Sequence, residues 1–300
     1  MGRPSRLRDA TLHGDLHLRG GGDPTLDGAA LARLARELAD GRGIKRVTGR
    51  IVGDGRAFDS RRGTAATDYG TSSEIGSLSA LGMRGVVSLD PAVHAAARLD
   101  DALEDEGVRV DGAPAAGDAP TGRVVLAAVR SPRVSELVRR ILKSSTNFHA
   151  EMLAKAIARK RGRVGSTRRA LREVSTFARR LGSSPDLADG AGLSLDSRAS
   201  PRSVGKLLLA MRTLPEFDAF HAALPIAGRD GTLRRRMRGG RAEGRCRAKT
   251  GTRVDVSALS GYCRAASGDT IVFSLLFNRV EPARAKRFED RMVAAIARLG

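Results

Sequence analysis

Cys246-Arg247-Ala248-Lys249-Thr250-Gly251-Thr252 reads as a short strand that carries one lysine and ends at a glycine, where a backbone can come close to a ligand. A lysine cation, threonine hydroxyls and an exposed backbone N–H are the groups that receive a negatively charged acyl substrate. The same letters suit a hairpin strand with a solvated lysine, so the functional reading needs a partner. One lies about a hundred residues upstream, where Ser145-Thr146-Asn147 follows a complete helical pattern and precedes Phe148-His149-Ala150-Glu151 and an apolar helical run. The two stretches make chemical sense together only if they line one cleft, so Lys249 is expected within reach of Ser145.

Outward from these stretches the periodicity describes a chain of mixed class. Strands are expected at residues 244–252, 256–264 and 270–278, and their short links imply an antiparallel meander. Ala285, Phe288, Met292, Ile296 and Leu299 mark the inward face of a closing helix. A turn centred between Val254 and Asp255 sets Cys246 opposite Cys263 at a separation that a disulfide accepts; a bridge and two separate buried thiols both fit. Upstream, helices are expected from Ser131-Pro132, from Ser166 and from Ser200-Pro201. The first third alternates: a strand at residues 12–18, a helix capped by Asp27, a strand at 47–52, a long loop at 61–79, and a helix from Asp90-Pro91 to Gly107. Residues 111–122, with two prolines, read as a linker or hairpin loop, and 124–129 as a strand. A boundary near Thr121 then separates an accessory α/β region, 1–121, from a domain at 122–300 that carries both motifs.

With 300 residues, 41% of them hydrophobic, the chain can bury a sizeable core. It has no run of eighteen apolar residues, and residues 1–12 are Arg-rich without the apolar segment of a signal peptide. A net charge of +20 raises the question of nucleic acid, but 3% aromatic residues and no tryptophan leave little on which bases could stack. Attraction to an anionic cell envelope is the sharper reading of that charge. Two cysteines exclude a cysteine-rich scaffold, and the five histidines show no zinc-site spacing, so neither metal nor cofactor is called for. Gly20-Gly21-Gly22 lacks the spacing of a phosphate loop and reads as a turn.

Lys249-Thr250-Gly251 and Ser145-Thr146-Asn147 match two of the three signatures of penicillin-recognising serine enzymes. Gly20-Gly21-Gly22-Asp23-Pro24-Thr25-Leu26, Val52-Gly53-Asp54, Asp189-Gly190-Ala191-Gly192-Leu193-Ser194, Ser200-Pro201, Leu224-Pro225-Ile226-Ala227-Gly228 and Asp230-Gly231-Thr232-Leu233 extend the match. From about Leu12 to about Asn278 the chain resembles the D-alanyl-D-alanine carboxypeptidases/endopeptidases of the class C low-molecular-mass penicillin-binding proteins, a family of serine peptidases. The resemblance implies an α+β fold: part of a transpeptidase-like domain, with helices packed on a C-terminal antiparallel sheet, preceded by an inserted α/β domain. It implies peptidoglycan stem peptides and β-lactams as partners, no nucleic acid, and an exported protein of the cell envelope, periplasmic or extracellular.

By the same resemblance Ser145 relays protons, Asn147 holds the substrate amide, and Lys249 supplies positive charge and orients Ser145. Thr250 and Thr252 bind the terminal carboxylate, with Gly251 between them giving it room, and the N–H of Thr252 is one oxyanion donor. Asp230-Gly231-Thr232 and Asp189-Gly190 are expected to shape turns. The family's nucleophile is the serine of a Ser-x-x-Lys motif upstream of the Gly-Asp-Pro-Thr-Leu block. The one match here, Ser203-Val204-Gly205-Lys206, lies in a helix and out of family order. The chain is therefore expected to lack its nucleophile and to be inactive alone, the export signal and the nucleophile having been lost together at a misplaced or truncated start. A non-catalytic peptidoglycan- or envelope-binding pseudoenzyme is the alternative.

Overall fold

A computed structural model describes residues 7–160 and 164–300. In chain order its strands are β1 (Leu7–Arg8), β2 (Thr11–Leu12), β3 (Leu16–Arg19), β4 (Arg46–Asp54), β5 (Arg109–Ala116), β6 (Cys246–Arg253), β7 (Val256–Arg264) and β8 (Thr270–Asn278). Its α-helices are α1 (Gly28–Arg36), α2 (Pro91–Asp105), α3 (Val134–Ser144), α4 (Asn147–Lys160), α5 (Thr167–Arg180), α6 (Pro201–Met211), α7 (Phe217–Ala223) and α8 (Pro282–Ile296). Two compact units share them: the chain through Pro132 together with Phe148–Ala170, and Arg133–Asn147 together with Leu171–Gly300. No helix among the described residues is long and apolar enough to cross a membrane.

The first unit is built on two strand–helix–strand passages. β2 and β3 run end to end along one edge of β4, and β5 lies along the other, all parallel to it. Parallel neighbours need a crossover, which α1 and α2 supply. The Asp27 carboxylate caps α1 by accepting from Ala30 N, and Asp90 caps α2 by accepting from Ala92 N and Val93 N. Leu31, Leu34 and Ala35 of α1 and Ala95, Leu99 and Leu103 of α2 close over Val47 and Ile51 of β4 in one apolar core. The glycine of Val52-Gly53-Asp54 has a steric reason: a Cβ there would lie 2.2 Å from the Ala92 carbonyl oxygen, so α2 begins directly on β4. Helix α4 is pinned into this unit by charge. Buried Lys155 donates to the Asp59 carboxylate and to the Arg61 carbonyl oxygen (2.9 Å), and buried Glu151 accepts from the Thr167 hydroxyl (3.1 Å). Burial lowers the Lys155 pKa although Asp59 pulls against it.

Two expectations for this unit are corrected. Of the stretch 111–122, read as a linker or hairpin loop, residues 111–116 with Pro114 belong to strand β5; it is an edge strand, where a missing N–H is tolerated, and Asp111 on it takes both Arg46 and Arg109. The stretch read as a strand, 124–129, pairs with no strand among the described residues. Leu126, Ala127 and Val129 pack on the core, Val124 and Val125 face solvent, and the Leu126 carbonyl oxygen accepts from Arg42 Nε (2.6 Å).

The second unit is organised by the sheet β6-β7-β8, whose register sets Cys246 opposite Cys263, Lys249 opposite Ser260 and Arg253 opposite Val256. The two cysteines form a disulfide with Cα atoms 4.0 Å apart. Alternation gives the sheet two different faces. Cys246, Ala248, Leu259, Cys263 and Phe273 pack with Val293 and Ala297 at the α8 face. On the opposite face Tyr262 packs with Leu208 of α6 and Leu224, and its hydroxyl donates to the Leu208 carbonyl oxygen (2.7 Å). Burial pushes the Tyr262 phenol up to about 12.

Of the residues expected on the inward face of α8, Ala285 is buried and Ile296 packs on the core, but the rest are wrong. Phe288, Met292 and Leu299 are exposed, while Ala285, Glu289, Val293 and Ala297 are buried. Glu289 is inward because it accepts from the Ser257 hydroxyl (2.7 Å) and Arg236 Nη2 (2.8 Å), a pairing that hydrophobic periodicity does not register. Helix α7 was not expected; Phe217 and Phe220 on it pack against the Tyr262 cluster.

Candidate active site

The site is assembled at the point where α3 ends beside β6. Helix α3 stops at Ser144, and Ser145 adopts the left-handed conformation, φ 54° and ψ 48°. Glycine usually occupies such a position, since a Cβ there costs about 1 kcal/mol. A serine held in it is a cost the fold carries for the hydroxyl. That hydroxyl accepts a hydrogen bond from Lys249 Nζ at 2.7 Å. Lys249 also donates to the Thr250 carbonyl oxygen, and burial pushes its pKa down to about 8.

The register explains why β6 presents its backbone as well as its side chains. Arg264 N donates to Arg245 O, which fixes the parity: odd-numbered residues of β6 bond to β7 and even-numbered ones turn their N–H and C=O to the open edge. Ala248 N accordingly donates outward to Pro225 O (3.0 Å), and Ala227 N donates to Cys246 O (2.9 Å). Thr250 and Thr252 follow on the same edge, so their N–H groups point away from β7. At Gly251, which shares the Lys249 side of the strand, a Cβ would press on the Ala258 Cβ at 3.3 Å.

Lys143, which sequence reasoning did not single out, and Asp230, read there only as part of a turn, complete the arrangement. Lys143 Nζ donates to both Asp230 carboxylate oxygens (2.8 and 2.6 Å) and to the Leu224 carbonyl oxygen (2.6 Å). Asp230 in turn accepts from Ile226 N (2.7 Å). Gly231, at φ +55°, lets the chain turn tightly against the Lys143 carbonyl, 2.7 Å from where a Cβ would stand. The Thr250 hydroxyl donates to the Thr232 hydroxyl (2.8 Å). A closed circuit results: Ser145, then back along the chain to Lys143, across to Asp230, on to Thr232, across to Thr250, and through Lys249 to Ser145. The Asp-Gly-Thr block was the available signal, read only as a turn. Asn147 opens α4, two residues beyond Ser145, and is half-buried.

The other flagged residues lie elsewhere. Ser203 on α6 shares a hydrogen bond with the Ser183 hydroxyl (2.9 Å) and accepts from Ser184 N (3.0 Å), while Lys206 is exposed. Asp189 is buried and shapes its turn by accepting from Gly192 N, Leu193 N and Ser194 N. An ammonium that can lose its proton near neutrality, a hydroxyl held against it and edge N–H groups form a cleft suited to an acyl substrate with a carboxylate.

Comparison with known proteins shows the family and the fold. A model of the D-Ala-D-Ala carboxypeptidase 3 (S13) family matches residues 3–72 and 77–299. The D-alanyl-D-alanine carboxypeptidase of Actinomadura sp. (strain R39) is 37% identical over 200 residues, 63% of this chain and 37% of that protein. Carboxypeptidase DacB of Mycolicibacterium smegmatis is 32% identical over 204 residues, 65% of this chain and 44% of that protein. The chain thus spans well under half the length of these relatives. Penicillin-binding protein 4 (dacB) from Haemophilus influenzae has the same fold, with a TM-score of 0.86 at 21% identity over 99% of this chain and 85% of that one. Its complex with a β-lactam superposes with a TM-score of 0.78 at 20% identity, over 97% and 83% of the two chains.

Proposed function

The chain belongs to the D-Ala-D-Ala carboxypeptidase 3 (S13) family, and on that premise we propose that it is part of a serine-type D-Ala-D-Ala carboxypeptidase that cuts peptidoglycan stem peptides by acyl transfer at the cell envelope. The observation that carries this reading is the Lys249–Ser145 hydrogen bond of 2.7 Å, which joins the two motifs in one cleft. In this reading residues 122–300 form the catalytic domain and 1–121 an accessory region.

Acyl transfer needs a nucleophile, a proton carrier, oxyanion donors and an anchor for the terminal carboxylate. Thr250 and Thr252 anchor the carboxylate through their hydroxyls, with the charge of Lys249 beside them. The outward N–H of Thr252 stabilises the oxyanion, a contribution of about 10²–10³ in rate for one donor. Ser145, oriented by Lys249, carries the proton to the departing D-alanine amine, and Asn147 holds the peptide amide. We assign the attacking hydroxyl to the serine of the family's Ser-x-x-Lys motif and not to Ser203, which is engaged by Ser183 and Ser184. Endopeptidase action on cross-links would use the same groups.

Intact mass after incubation with benzylpenicillin tests the assignment. The 300-residue chain should stay unmodified, and a version extended upstream through Ser-x-x-Lys should gain one acyl group. An adduct on the short chain would make Ser203 the first suspect and overturn the assignment. A properly folded extended chain that never acylates would leave a peptidoglycan-binding pseudoenzyme in its place.

A further inference from the structure

Away from the Lys249–Ser145 cleft, at the end of the sheet where β6 begins and β7 ends, is a cavity of about 560 Å³ lined by Arg245, Arg247, Arg264, His221, Tyr262 and Thr270 among others. The arginines are placed by the ladder. Arg245 and Arg264 form one cross-strand pair, and Arg247 sits opposite Tyr262 in the pair two residues along, so the three guanidiniums project from the same side of the sheet. Like charges directly opposite each other weaken a sheet. The row between these two pairs is the Cys246–Cys263 disulfide, a covalent bond where the strands would otherwise repel.

Several arginines elsewhere in the protein are ion-paired: Arg46 with Asp111, Arg56 with Asp54, Arg140 with Glu136 and Arg236 with Glu289 and Asp290. Among the described residues none of the three cavity arginines has a carboxylate at ion-pair distance. The nearest acid of the lining turn, Asp269, is turned to the Ser267 hydroxyl (2.9 Å). His221, stacked on Phe217 and edge-on to Tyr262, has its pKa lowered by burial and then by the Arg247 charge, with Arg212 adding to this and Asp218 opposing it. What sets the three cavity arginines apart is convergence: their guanidiniums line one concavity together with His221, Tyr262 and Thr270.

We propose that this cavity binds a multiply charged phosphate group, free or carried on a larger molecule. Guanidinium forks pair with phosphate oxygens in a bidentate manner, and the cavity falls in the range of small-ligand sites, about 300–1,000 Å³. A single carboxylate would leave two of the three cations unmatched, whereas a diphosphate, or several phosphates carried on one chain, matches them and offers further oxygens to the Thr270 hydroxyl.

The imidazole of His221 reports occupancy. In the NMR spectrum of the 300-residue chain at physiological chloride, inorganic pyrophosphate should shift the His221 resonance saturably and raise its titration midpoint, because the anion offsets Arg247. The other four histidines should stay in place. His221→Gln identifies the resonance. The variant Arg245→Ala with Arg264→Ala changes two exposed side chains, so it should keep its fold while binding about tenfold or more weakly, a change of about 1.4 kcal/mol or more. A glycerol-phosphodiester oligomer run in parallel distinguishes the sources: response to pyrophosphate alone means a free anion, and response to the oligomer at lower phosphate concentration means a polymer-borne group. No saturable shift with either by about 1 mM, the weak end of specific binding, or equal binding by the double variant, would overturn the proposal.

Discussion

The two sheets of this protein are built on opposite principles. The parallel sheet of the first unit closes under α1 and α2 over a core that is apolar throughout, from Leu31 and Leu34 to Val47 and Ile51. The antiparallel sheet of the second unit is apolar on its α8 face, and on its opposite face carries Lys249, Ser260, Ser274 and the cavity arginines. Parallel strands with crossover helices can be buried deeply and spare little surface for polar chemistry. An antiparallel meander can be core on one side and chemistry on the other, and its edge strand still has N–H groups to offer. Stability in the first unit and reactivity in the second should therefore respond to different substitutions.

Leu31→Ala should have the largest effect on stability. Truncating a fully buried leucine in an apolar core costs about 2–5 kcal/mol, seen as a lower urea midpoint, while the upstream-extended protein should still take up benzylpenicillin at temperatures where it is folded. Loss of acylation by a folded Leu31→Ala protein would break the division between the sheets. Next comes the cross-link. Cys246→Ser with Cys263→Ser should cost about 3 kcal/mol, the chain-entropy estimate for a short loop, and hydrogen exchange should place the loss in β6, β7 and β8. Protection falling equally in β4 would show that the two sheets unfold as one.

Lys249→Met should bring stability and activity into conflict. It should lower the acylation rate of the extended protein by about 10²–10³, as for loss of one preorganised electrostatic group, without costing fold stability at neutral pH. The lysine pKa falls from 10.5 to about 8 on folding, so below about pH 8 the native state holds a buried ammonium that the unfolded chain solvates better. As pH rises from about 8 towards 10.5 the native lysine loses its proton first, the unfolded state binds more protons, and wild-type stability climbs relative to Lys249→Met. Paired denaturation curves at pH 7 and pH 10 check the sign; an unchanged difference would mean that burial does not perturb this lysine. The smallest effect is at Ser145→Gly. Relief of the left-handed backbone should leave stability level or raise it by up to about 1 kcal/mol, while proton relay is lost, so a folded variant acylating at the normal rate would remove Ser145 from the chemistry.

Much of the second unit could be read directly from the chain. The strands β6, β7 and β8 and the facing of Cys246 and Cys263 follow from a two-residue turn at Val254 and Asp255 and from period-two alternation, which are local properties. Helix caps at Asp27, Asp90 and Ser200 were equally visible, because a capping side chain bonds to backbone only two or three residues away. The misreadings share one physical cause. Glu289 faces inward because Ser257 and Arg236 meet it there, the proline-bearing β5 is a strand because β4 offers it an edge, and residues 124–129 pack on the first unit's core through Leu126, Ala127 and Val129 instead of joining its sheet. Each outcome depends on a partner distant in sequence. The circuit through Lys143, Asp230, Thr232, Thr250, Lys249 and Ser145 is of the same kind. The sequence by itself determined which side chains were available and on which side of a strand they would stand. Only the tertiary structure decided which of them would meet, because a hydrogen bond between residues 87 or 104 positions apart depends on how α3, the 224–233 loop and β6 pack together, and no local pattern encodes that packing.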